Sequence, residues 1–122
     1  MARVLIVDDS EVFRYKIRML LEEEGHTIVG EASNGAEGFE SYKELRPDVT
    51  TMDVTMPIMD GIEALKQIMQ FDPSAKVIMV AASAQENKIS EAFILGAFDF
   101  LPKPFDMERV SEIVARIMSG ME

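Results

Sequence analysis

Two adjacent carboxylates, Asp8 and Asp9, close the segment RVLIVDDS; a third, Asp53, closes VTTMD; and Lys103 follows the run DFL near the far end of the chain. Three carboxylates gathered in one cleft raise each other's pKa unless a cation neutralises them. The cation that suits such a donor set is hard. Mg²⁺ takes oxygen ligands, keeps several of its waters and needs only one or two protein carboxylates. Asp9 and Asp53 fit as direct ligands, Asp8 as a ligand through water, and the backbone carbonyl of Thr55 as a further oxygen, with Mn²⁺ an acceptable substitute. Cysteine is absent, which excludes a disulfide framework, a thiol nucleophile and a thiolate metal site.

Such a cluster works only if the chain carries its members to one place. Short apolar runs predict strands over Val4–Val7, Thr27–Ala32, Val49–Asp53, Val77–Ala81 and Asp99–Leu101. The first and fourth are apolar without alternation, as in parallel strands covered on both faces. Helical spacing links Phe13, Ile17, Leu20 and Leu21; Ile62, Leu65, Ile68 and Met69; Ile89, Ala92, Phe93 and Gly96; and Val110, Ile113, Val114, Ile117 and Met118. A weaker helix is expected from Ala36 to Leu45. Turn signals at Gly25, NG, RPD, DG, DPS and PKP separate these units, with Asp60 of DG read as a helix cap and His26 as an exposed turn residue. Five strand–helix repeats call for an α/β, doubly wound, five-stranded parallel sheet with five helices, the flavodoxin-like (βα)5 arrangement. In such sheets chemistry gathers beyond the carboxyl ends of the strands, where Asp8, Asp9, Asp53 and Lys103 all fall.

With 22 acidic residues against 12 Lys plus Arg, the net charge is −10. Nucleic acid and anionic membranes should be repelled, since the densest basic group, Arg14, Lys16 and Arg18, runs into EEE. No apolar stretch is long enough to span a bilayer. One domain over residues 1–122, a monomer and a cytoplasmic location are the expectations.

The strand end IVDDS, the lone Asp53 in MDVTMPIMDG, the DPSAKVIMV strand and the ending GAFDFLPKPF resemble the receiver domain of two-component response regulators, over nearly the whole chain. In length and layout the sequence is similar to CheY-like single-domain chemotaxis regulators. The resemblance implies that Asp53 accepts a phosphoryl group from a histidine kinase, that Asp8 and Asp9 hold the metal, and that Lys103 contacts the phosphoryl group. It also implies that Phe100 reports the active state by its burial, and that the Lys103–Pro104 bond is cis. Such a protein is not an enzyme in the ordinary sense: it assists its own phosphorylation and dephosphorylation. Phosphoryl transfer asks for an acceptor oxygen in line and for counter-charge on the equatorial oxygens, which Asp53, the metal and Lys103 would supply.

One position departs from the family pattern. Receivers usually carry Thr or Ser at the end of the fourth strand, and an ungapped reading places Ala81 there. Ser83, two residues on, is the alternative source of a hydroxyl. Output is expected through altered protein–protein binding, at the face formed by the fourth helix, fifth strand and fifth helix. A non-switching interaction module or a phosphorelay intermediate is the runner-up. A metal-dependent phosphatase is disfavoured because Thr55, not a carboxylate, stands two residues after Asp53.

Overall fold

The computed structural model describes residues 1–82, 87–103 and 106–120. Strands β1 (Arg3–Val7), β2 (Thr27–Ala32), β3 (Val49–Asp53), β4 (Val77–Ala82) and β5 (Asp99–Lys103) alternate with helices α1 (Glu11–Glu23), α2 (Gly35–Leu45), α3 (Gly61–Phe71), α4 (Ile89–Leu95) and α5 (Met107–Met118). All strand pairs are parallel and the sheet order is β2-β1-β3-β4-β5. The expected doubly wound α/β fold is therefore present.

Alternation within β1 divides the molecule. Leu5 and Val7 face a core with Met52, Leu65, Ile68 and Met79, whereas Val4 and Ile6 face a second core with Ile17, Leu21, Ile113 and Val114. Each core covers one sheet face, as the two-faced burial of parallel strands requires. The expected His26 turn residue is a correction. It is half-buried, and its Nδ1 accepts the Ala2 backbone N–H at 2.9 Å, because the chain turns back there to pair β2 with β1.

Several boundaries also differ from expectation. β1 starts at Arg3, α2 starts at Gly35, β4 continues to Ala82 and β5 runs on to Lys103. PKP reads locally as a turn, yet among the described strands β5 is the edge beside β4, and an edge strand tolerates a proline that cannot donate. Pairing of Ala81 with Pro102 and of Ala82 with Lys103 carries the strand through to the lysine.

The first three helices are capped by side chains, of which Asp60 is the one expected from the sequence. Ser10, Asn34 and Asp60 accept the backbone N–H groups of Phe13, Glu37 and Glu63, and so begin α1, α2 and α3. Among the described residues no helix is long and apolar enough to cross a membrane.

Candidate functional site

The chain passes from β1 out to β2 on one side and then crosses to β3 on the other side of β1. A crevice opens at that reversal. Asp8 follows β1 directly, and Asp53 is the last residue of β3. Carboxylate oxygens of Asp8, Asp9 and Asp53 lie within 4.8 Å of one another. Asp8 and Asp53 are buried, whereas Asp9 is exposed.

Each member is held by its neighbours. The Asp8 N–H donates to the Ala32 carbonyl at 3.0 Å, which fixes the chain just past β1. Its Oδ1 accepts the Ser10 N–H at 2.8 Å, and its carbonyl accepts Arg14 Nη1 at 2.6 Å. Asp53 is braced from below: the next residue's N–H, that of Val54, donates to the Val80 carbonyl at 2.9 Å, and the Val54 carbonyl accepts the Gly61 N–H at 2.7 Å. Gly61 has to be glycine, because a Cβ there would collide with the Asp53 carbonyl oxygen. Lys103, brought in by β5, donates from Nζ to Asp8 Oδ2 at 3.0 Å and stands 3.8 Å from Asp53 Oδ1.

Charge is unbalanced in this crevice. Burial, aided by the Asp8 charge and opposed by Lys103, pushes the Asp53 carboxyl up to about 7. Three hard oxygen donors in one small volume, one of them pushed chiefly by burial to hold its proton near neutrality, fit a divalent cation.

The structure thus brings Asp8, Asp9, Asp53 and Lys103 together, as their strand-end positions suggested. Thr55 is exposed two residues beyond Asp53. Ala81 and Phe100 are both buried and share the core under α2, α3 and α4. Ser83 and the Lys103–Pro104 bond lie outside the described residues.

Two contacts were missed from the sequence. The Phe13 ring lies under the Lys103 ammonium, with Nζ 3.9 Å from its centroid, and Arg14 reaches the Asp8 carbonyl. Phe13 sits on the apolar stripe of α1 and reads as plain core. Arg14 belongs to the basic group, whose other large member, Arg18, joins it on Glu31 at 2.6 to 2.9 Å and also pairs with Glu22 at 2.8 Å, so these two guanidiniums are neutralised by two carboxylates within the molecule.

The family model described as the response regulator receiver domain matches residues 4–115. The chain belongs to this family. The receiver is 52% identical over 118 residues to "Protein CcdB" of Bacillus subtilis (strain 168), covering 97% of this chain and 98% of that protein. It is 47% identical over 115 residues to the chemotaxis protein CheY of Thermotoga maritima, covering 94% and 96%. Among solved structures, the receiver superposes on one from the CheX-CheY-BeF3-Mg complex of Borrelia burgdorferi with a TM-score of 0.89 and 38% identity, over 95% of this chain and 88% of that one. By sequence and layout it is a CheY-like response regulator.

Proposed function

We propose that this receiver is a phosphorylatable switch in a two-component pathway, with Asp53 as the acceptor. The observation that carries the reading is the Asp53 carboxylate at the β3 end, buried beside Asp8 and Asp9 and 3.8 Å from the Lys103 ammonium. An Asp53 oxygen attacks phosphorus as the bond to the departing histidine nitrogen of the kinase breaks, so the phosphoryl group becomes an aspartyl phosphate. Lys103 is near enough to exchange its Asp8 partner for a phosphoryl oxygen. Asp8, Asp9, Asp53 and the Thr55 carbonyl would hold Mg²⁺, or Mn²⁺ in its place. When bound, the ion supplies the positive charge that the equatorial phosphoryl oxygens need. The same groups assist hydrolysis of the aspartyl phosphate.

A single receiver domain spanning residues 1–122, monomeric and cytoplasmic, would signal by changing what its surface binds. The face of α4, β5 and α5 suits a protein target, since Phe93 and Ile94 stand exposed on α4. The excess of negative charge disfavours nucleic acid and membrane. Similarity to CheY proteins supports chemotaxis as the pathway.

The test is amide NMR with beryllium fluoride as the phosphoryl stand-in, with and without Mg²⁺, beside an Asp53→Asn control. Metal-dependent perturbations reaching from Asp53 through Phe100 to α4 and α5, absent in the control, are expected. Perturbations confined to the strand ends would favour the second reading, a receiver-like interaction module or phosphorelay intermediate. That reading has one observation behind it: Ala81, fully buried, offers no hydroxyl at the end of β4.

A further inference from the structure

Lys103 is the one cation that reaches the acidic cluster among the described ion pairs. It donates to Asp8 Oδ2 at 3.0 Å, while Asp53 Oδ1, at 3.8 Å, is beyond hydrogen-bonding distance. A further partner among the described residues is aromatic: the Phe13 ring, 3.9 Å from Nζ to the centroid. A cation at that distance is attracted by the negative face of the ring.

The ring is placed with care by the first turn of α1. Ser10, directly behind the paired aspartates, caps the helix by accepting the Phe13 N–H at 3.2 Å, which sets the Phe13 backbone relative to Asp8. Arg14, the next residue, clamps the same turn to the Asp8 carbonyl. Phe13 itself is half-buried and packs on the core shared by α1 and α5. One side of the ring is therefore anchored in the core, and its face is turned to the ammonium.

A ring face holds a cation without the directional demand of a hydrogen bond. An acceptor at this position would pin the ammonium; an aliphatic side chain would leave it to Asp8 and to water. We propose that Phe13 is a positioning residue for Lys103, keeping the ammonium over the acidic cluster while letting it pivot from Asp8 to a phosphoryl group on Asp53. The inference rests on Asp53 being the acceptor. It adds a residue on α1 that acts through the lysine.

Fluorination tests it directly. Phenylalanines with one, two or three ring fluorines, placed at position 13 of the full chain, draw charge from the ring face with little change of shape. The readouts are the rate of Mg²⁺-dependent phosphorylation by a small acyl phosphate and the ring-current shift of the Lys103 ε protons. The rate is expected to fall at each step, to about two- to thirtyfold below the parent with three fluorines, while the ε protons keep their upfield shift. Phe13→Trp should keep the parental rate, and Phe13→Leu should lose both the rate and the shift. A flat rate across the fluorinated series in a parent that is itself phosphorylated would overturn the role of Phe13 alone. A parent that takes no phosphoryl group would instead remove the acceptor reading, and this inference with it.

Discussion

Asp53 sits where folding works against its charge. Its folded pKa, pushed up to about 7 by burial and by Asp8, lies above the ordinary carboxylate value of 3.8. The native state therefore binds this proton more tightly than the unfolded chain does. Stability linked to Asp53 is fully present below the unfolded pKa and is lost as the pH rises through about 7. In chelator, Asp53→Asn is expected to stabilise the protein by on the order of 2 kcal/mol at about pH 8, with the gain shrinking toward about pH 5 where the native carboxyl is already neutral. Urea unfolding at the two pH values checks this, and a gain independent of pH would contradict it. At this scale the sequence was readable where chemistry and strand ends coincide, as for Asp8, Asp9, Asp53 and Lys103. Phe13 was not readable, because a ring on an apolar helical stripe looks the same whether its face meets a methyl group or an ammonium.

The segments between strands and helices set the site's geometry. Gly61, first residue of α3, lies against the Asp53 backbone, and no side chain can give way there. Gly61→Ala is expected to cost at least about 2 to 4 kcal/mol in urea unfolding and to weaken Mg²⁺ binding, since the collision is with the acceptor's own carbonyl. At the end of β4, Ala81→Ser adds a hydroxyl in a fully buried place. Unpaired there in the resting form, it would cost about 1 to 3 kcal/mol; bonded to a charged phosphoryl oxygen, it would recover about 1.5 to 3 kcal/mol. The hydrogen bond to the phosphoryl oxygen exists only in the switched form, and it alone should raise coupling of phosphorylation to Phe100 by roughly ten- to a hundredfold. An aromatic NMR probe on Phe100 that responds equally in both proteins would contradict this. Element positions were legible from periodicity and turn residues, and β2 and β3 fall on their expected ranges. The ends of β4 and β5 were not, because Pro102 is acceptable only once β5 is known to be an edge.

Across the whole molecule, the repeat of strand and helix announced the fold class, but not which strand lies beside which. Val4 pairs with Ile28 on one side and Val49 on the other, and nothing local in IVDDS encodes that. The order follows from closing two cores over both faces of one sheet. Apolar residues outside those cores should then be dispensable for folding. Ile94→Glu, on the exposed side of α4, is expected to change stability by less than about 0.5 kcal/mol, whereas Ile78→Ala in the interior strand β4 should cost about 2 to 5 kcal/mol. Comparable losses in the two variants would mean that the α4 surface is structural and not free for a target.

Intact-protein mass spectrometry after incubation with a small acyl phosphate, with Mg²⁺ or with chelator and beside an Asp53→Asn control, bears most directly on Asp53 as acceptor. A single phosphoryl adduct that needs the metal and is missing from the control is expected. No adduct in protein independently found to bind Mg²⁺, or an adduct that survives Asp53→Asn, would contradict the assignment.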